Sequence, residues 1–199
     1  EPVIGGTAAY RVLKRGFDIT VCTAALVVLA APMLAIAIKI RSESPGPVIY
    51  AQNRVGKNGR VFRLYKFRSM YVDAESRGAR WADGEDRRIT PFGRFMRRTR
   101  IDEIPQLWNI VKGNMSLVGP RPERPVFCRE FEKRIHGWSY RTRVAPGLTG
   151  LAQVTGGYEL LPREKVELDL DYIRRRGVRT DARVLLRTIG VITTGSGAR

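Results

Sequence analysis

ITVCTAALVVLAAPMLAIAI, residues 19–38, runs twenty residues without a charge. As one helix it would be about 30 Å long, the thickness of a bilayer's hydrocarbon core. A core helix in a domain this small would carry a polar face, so the plain reading of a buried helix is the weaker one. The run is also too long, and too poor in cleavage signals, for a secretory leader. Arg11, Lys14 and Arg15 precede it and Lys39 and Arg41 follow it. Positive flanks at both ends give a simple span no orientation, whereas a segment with both ends on the cytoplasmic side satisfies the positive-inside rule twice. Pro32 removes a backbone donor and crowds the preceding turn, so a kink is expected at Ala31-Pro32. A re-entrant helix is the reading adopted, with a kinked spanning helix as the alternative.

The whole chain is a basic polypeptide of 199 residues with a formal charge of +17. That length suits one catalytic or binding domain with an appendage, the boundary falling between a membrane segment over 1–41 and the domain over 42–199. The charge implies attraction to polyanions: nucleic acid, an anionic membrane surface or phosphorylated small molecules. Two cysteines and one histidine cannot build a zinc cage, and no Cys22–Cys128 disulfide is expected.

Beyond the apolar run, strands are predicted at about Val48–Gln52 and Val61–Phe67, joined through Asn58-Gly59, a strong turn signal. Residues 71–88, with Asp73, Glu75, Asp83, Glu85 and Asp86, read as a solvated loop or short helix. Thr90-Pro91 marks a helix start, with Arg94, Arg97 and Arg98 on one face. A second helix is predicted from near Asp102, with Pro105 in its first turn. ELLPREKVELDLDYIRRR forms a further helix, and ARVLLRTIGVI, with Arg183 and Arg187, an amphipathic one suited to a membrane interface. The fold class is mixed α/β, helix-rich with a small hairpin or sheet.

Asp102 and Glu103 end the most basic part of the chain, RRITPFGRFMRRTR, which holds six arginines and no acid. At a helix N-terminus, among guanidinium groups, Asp102 is expected to stay ionised with a depressed pKa. Such a carboxylate can cap the helix, hold a hard cation such as Mg²⁺, or attack an electrophile. Residue physics leaves these three open. Asp169-Leu170-Asp171 spells a D-x-D, but positions i and i+2 of a helix do not face each other, so no metal site is assigned to it. Trp81, Trp108 and Trp138 are interface anchors or core residues.

The ordered motifs KRGFDI (14–19), PVIYAQNRVG (47–56), YKFRSM (65–70), RRTRIDEIPQLWNIVKGNMSLVGPRPERP (97–125), VAPGLTGLAQV (144–154) and KVELDLDYI (165–173) closely resemble the bacterial sugar transferase family, the monotopic phosphoglycosyl transferases. The resemblance runs from about Tyr10 to Ile192. It implies transfer of a sugar-1-phosphate from a UDP-sugar to undecaprenyl phosphate, at the cytoplasmic face of the bacterial inner membrane, as the first step of exopolysaccharide, O-antigen or glycoconjugate assembly. It implies Asp102 as nucleophile, forming a phosphosugar–aspartyl intermediate, and Glu103 as its metal or proton-handling partner, with Mg²⁺ bridging carboxylates and diphosphate. Arg97 and Arg121 match family arginines that contact phosphate, Lys66 and Arg68 a basic strand near the site, and Asp181 a carboxylate that completes it. Pro32 is the membrane kink.

Two positions depart from the family pattern: Ala31 stands where serine often precedes the proline, and Asn114 where an acid is common. Longer family members carry further N-terminal membrane domains, and this chain does not begin with methionine; whether it is a catalytic portion of a longer protein is left open by the sequence. Membrane lipid is an expected partner and nucleic acid is not; association with copies of itself is left open. The rival is a membrane-tethered basic module binding nucleic acid or acidic lipid without catalysis. It does not explain why two carboxylates follow the arginine run, since they weaken binding to polyanions.

Overall fold

A computed structural model describes residues 2–74, 86–157 and 160–194. The apolar run belongs to two helices, α1 (Ala8–Val28) and α2 (Ala30–Glu43), bent by 61° at their junction. Thr7 caps α1 by accepting from the Tyr10 N–H at 3.1 Å. The break falls at Leu29, not at the expected Ala31-Pro32. Pro32 has no N–H for the carbonyl of Val28 and its ring crowds that carbonyl, so the helix yields one turn upstream. Among the described residues no single helix is long and apolar enough to cross a membrane; only this bent pair qualifies, taken together.

α1 is not a core helix in the ordinary sense. One stripe of it packs inward, where Cys22 joins Leu64, Leu107, Ile110 and Met115. Around the bend Val27, Val28, Leu34 and Ile38 stand exposed. The polar residues of KRGFDI tie that stripe to the rest of the molecule. Lys14 Nζ reaches Asp181 at 2.6 Å, and Arg15 donates to the carbonyls of Ile110 and Val111 at 2.6 and 2.8 Å. Asp18, buried, accepts from Ser116 Oγ at 2.7 Å and from the Leu117 N–H at 3.2 Å. Asp18→Ala would leave a buried hydroxyl and an amide unpaired. A loss of about 2–3 kcal/mol is expected in denaturant unfolding of the detergent-solubilised chain, and a loss below about 0.5 would contradict this clamp.

β1 (Ile49–Val55) and β2 (Val61–Phe67) pair antiparallel in the register Ile49↔Phe67 to Val55↔Val61. Asn58 and Gly59 take the left-handed φ values, 54° and 76°, that the turn signal implied. β1 runs three residues past its predicted end at Gln52. Its polar positions belong in a strand because Tyr50, Gln52 and Arg54 share a face that lines a cavity rather than open water.

α3 (Pro91–Arg98) starts as predicted, with Thr90 Oγ1 accepting from the Gly93 N–H at 2.9 Å and Pro91 in the first turn. Arg100 then adopts a left-handed φ of 57° and opens a 3-10 turn, Ile101–Glu103. The helix expected from Asp102 begins later, as α4 (Gln106–Val111), with Pro105 at its cap. The turn intervenes because α3 must end and reverse before α4 can pack under the hairpin. There Asn109 fixes it, donating to the Arg63 carbonyl at 2.8 Å and accepting from the Tyr65 N–H at 3.0 Å.

The remaining elements are β3 (Ser116–Val118), α5 (Pro125–Arg134), a 3-10 stretch Trp138–Arg143, β4 (Gly147–Thr149), α6 (Leu151–Thr155), α7 (Pro162–Arg175) and α8 (Val178–Thr194). β3 and β4 form a two-stranded parallel pair that strand signals did not reveal, being three residues each. Close approach makes Gly147 obligatory there: a Cβ would meet the Gly119 nitrogen at 2.1 Å. Val118, Val144, Tyr172, Ile173 and Val184 form a second core, and Ile40, Phe67 and Met96 a third. α8 leaves Leu186, Ile189 and Ile192 exposed along with Arg183 and Arg187, as its pattern predicted. Cys22 and Cys128 are free thiols. Trp138 is buried and Trp108 half-exposed; Trp81, Glu75, Asp83 and Glu85 lie outside the described residues.

Candidate active site

A cavity of about 560 Å³ opens between the hairpin, the 3-10 turn and the segment after β3, and Asp102, Glu103, Lys66, Arg97 and Arg121 all line it. The hairpin contributes Lys66 from β2, and α3 projects Arg97 from its last turn. The left-handed step at Arg100 turns the chain so that both acids of the 3-10 turn face the same space.

The two carboxylates are buried and differ sharply in partners. Glu103 Oε1 accepts from Lys66 Nζ at 2.9 Å and from Arg121 Nη2 at 2.5 Å, while its Oε2 accepts from Arg121 Nη1 at 3.2 Å. Asp102 has one ion-pair contact among the described residues, to Lys66 at 3.6 Å. Burial raises the pKa of Glu103, but the charges of Arg121 and Lys66 outweigh it and hold the group well below the usual carboxylate range. For Asp102 burial is the largest influence, and with repulsion from Glu103 it exceeds the pull of Lys66, Arg97 and Arg121, so the pKa is raised. This corrects the expectation of a depressed value: the cations are spent on Glu103, and no helix N-terminus stands at Asp102. The pair therefore divides into a fixed anion and a less solvated, less engaged one.

Arg97 donates from Nε to Ser69 Oγ at 2.9 Å and faces the cavity. Arg68 also touches the cavity wall, yet its guanidinium is committed to the turn after α2: it donates to the Ser44 and Pro45 carbonyls at 2.6 and 2.9 Å and to Ser44 Oγ at 2.8 Å. Asp181 does not join the site. It sits where α1, α7 and α8 meet, held by Lys14, Tyr10 and Tyr172. The D-x-D carboxylates part as expected: Asp169 is buried against Arg141 and Asp171 pairs with Arg175.

The structure adds Glu123, Lys165 and Arg54 to the cavity wall. Glu123 pairs with Lys165 and, at 3.5 Å, with Arg54. Burial opposes its ionisation, but Lys165, Arg141 and Arg54 bring its pKa down from 4.5 to about 2. The only sequence signal was that Glu123 and Lys165 fall inside matched motifs, with nothing to pair them. Because the folded value lies below the unfolded one, this stabilisation is complete above about pH 4.5 and lost as pH falls towards 2. Acid unfolding is expected to shift in that window, with Glu123→Gln removing about 2–3 kcal/mol of the pH-dependent change.

A buried Asp-Glu pair ringed by guanidinium and ammonium groups thus lies in one chain with a bent apolar helix pair. The chain belongs to the bacterial sugar transferase family, whose model matches residues 9–195. It is 46% identical over 193 residues, 96% of this chain and 46% of the relative, to the UDP-N-acetylgalactosamine-undecaprenyl-phosphate N-acetylgalactosaminephosphotransferase of Aeromonas hydrophila. To UDP-glucose:undecaprenyl-phosphate glucose-1-phosphate transferases it is 38% identical over 184 residues in Escherichia coli (90% of the chain, 40% of the relative) and 39% over 191 in Caulobacter vibrioides (93% and 71%). The chain thus spans less than half the length of the Aeromonas and Escherichia proteins. The relatives agree on undecaprenyl phosphate and differ in the sugar.

Proposed function

We propose that this chain transfers a sugar-1-phosphate from a UDP-sugar to undecaprenyl phosphate in two displacements at Asp102. In the first, an Asp102 carboxylate oxygen attacks the phosphorus next to the sugar. The bond from that phosphorus to the bridging oxygen breaks, and UMP leaves with the electron pair. In the second, a phosphate oxygen of undecaprenyl phosphate attacks the same phosphorus and releases Asp102. Splitting one displacement into two is the gain of covalent catalysis. The observation that carries this reading is the asymmetry of the pair: Glu103 is tied by Lys66 and Arg121, while Asp102, buried in the same cavity, keeps its oxygens free of hydrogen bonds among the described residues. Arg97 and Arg121 supply fixed positive charge where phosphoryl oxygens would lie.

Glu123, the third acid of the cavity wall, is paired with Lys165 and Arg54, and no group of three or more acids, histidines or cysteines among the described residues is placed to hold a metal. Two adjacent carboxylates suit Mg²⁺, which takes one or two carboxylates and fills its shell with phosphate oxygens and water. Asp102 and Glu103 would hold it, and when bound it neutralises charge on the transferring group.

The bent pair α1–α2, with its exposed apolar residues, and the exposed apolar side of α8 support a monotopic seat on the bacterial inner membrane, with α1–α2 re-entrant and the catalytic domain on the cytoplasmic face. On this reading the acceptor's phosphate meets the cavity at the membrane surface. The test is UMP release from UDP-N-acetylgalactosamine, UDP-glucose and UDP-galactose in the presence of Mg²⁺ and undecaprenyl phosphate. Release from at least one donor, dependent on the acceptor for turnover, is expected; binding of donors or lipid with no release would leave only the non-catalytic module.

A further inference from the structure

Asp169 is 1% exposed and belongs to no metal site, so its burial calls for another reason. Its Oδ2 accepts from Arg141 Nε at 2.7 Å, and the Arg141 guanidinium lies over the Trp138 ring, 4.4 Å from its centroid. The other arm of Arg141, Nη2, donates to the Arg121 carbonyl at 3.0 Å. That contact is one of three in a row. The Pro120 carbonyl accepts from the Gly147 N–H at 2.9 Å, and the Pro122 carbonyl from Arg54 Nη1 at 3.1 Å. Three successive carbonyls are therefore each held by a donor, in a segment whose two prolines already fix φ. At its other end, the Arg121 side chain makes two of the three side-chain hydrogen bonds that hold Glu103.

We propose that Arg141, anchored by Asp169, is a positioning residue that sets the backbone of Arg121 and thereby aims its guanidinium at Glu103 and at the donor diphosphate. The inference rests on the transferase reading above. Stability alone is a poor reason for this pair, because buried ion pairs seldom outperform apolar residues of the same volume. Arginine is required for its shape: one planar group reaches Asp169 through Nε and the Arg121 carbonyl through Nη2, which a lysine ammonium on a flexible stem does not reproduce. Asp169 thus acts on the site from outside the cavity wall, to which α7 contributes Lys165 directly.

The test uses the full chain in detergent or nanodiscs. Arg141→Lys is expected to stay folded, keep a charge beside Asp169, and lose the arm to Arg121. kcat/KM for UMP release should fall about tenfold with KM for the UDP-sugar raised at least about threefold. Lost folded fraction alone would lower kcat and leave KM unmoved. Hydrogen exchange should quicken over residues 119–124. Should Arg141→Lys fail to fold, the double variant Arg141→Met with Asp169→Leu removes both charges together and is expected to raise KM and exchange in the same way. A folded variant, single or double, with wild-type KM and unchanged exchange over 119–124 overturns the proposal. If the wild-type chain releases no UMP from any donor, the transferase reading fails instead, and the exchange measurement alone decides whether Arg141 holds Arg121.

Discussion

Asp102→Asn is expected to lower UMP release by at least about a thousandfold, since an amide is neither a nucleophile for phosphorus nor an anion that a cation can hold. The same substitution should make the protein slightly more stable. Burial raises the pKa of Asp102 above its ordinary 3.8. A folded value above the unfolded one means that, at neutral pH, ionised Asp102 opposes folding; the loss grows as pH rises through the unfolded and then the folded value. Removing the charge relieves that opposition, and a gain of about 1 kcal/mol is expected, a common trade between activity and stability. The two readouts move in opposite directions, which a generally damaged protein cannot imitate. Wild-type enzyme quenched after mixing with donor alone should carry one sugar-phosphate on the peptide containing residue 102, by mass spectrometry, and the Asn variant none. Turnover within about tenfold of wild type in Asp102→Asn would end the two-step mechanism.

Arg121→Ala has the second largest expected effect, and on both fold and rate. Glu103 is buried, and Arg121 supplies two of its three side-chain hydrogen bonds. Truncating one partner of a buried ion pair leaves an uncompensated charge, for which about 3–5 kcal/mol is expected. Turnover should fall about a hundredfold to a thousandfold beyond any loss of folded protein, because a preorganised cation aimed at phosphoryl charge is removed. The double variant Glu103→Gln with Arg121→Ala separates the two effects. It should regain most of the stability, since no charge is stranded, and none of the rate. A double variant as unstable as Arg121→Ala alone would show that Glu103 is not what Arg121 neutralises.

Local rules served well wherever the structure is decided locally. Thr90-Pro91 starts a helix because a side-chain oxygen and a fixed φ satisfy the first turn without outside help. Asn58-Gly59 turns the hairpin because both residues accept a left-handed φ. Local rules say nothing where a distant partner decides. Arg68 and Lys66 are two residues apart in one motif, yet Lys66 meets the acids and Arg68 a turn more than twenty residues upstream. Asp181 looked like a site residue because an acid in a matched position says nothing about which of its neighbours it faces. Nothing local joins Arg54 to Lys165: they meet at Glu123 only when β1, the segment after β3, and α7 close on one another.

By itself the sequence determined that an uncharged twenty-residue run is interrupted by proline, that a hairpin and helices follow, and that an Asp-Glu pair stands among arginines. Each of these depends on the covalent chemistry of neighbouring residues. Tertiary structure alone decided that the bend sits at Leu29, that KRGFDI clamps α1 to α4, β3 and α8, and that Glu103 rather than Asp102 takes the cations. Those outcomes depend on which charges share a dry space and at what distance, and electrostatic energy falls with separation in space, to which separation along the chain is no guide.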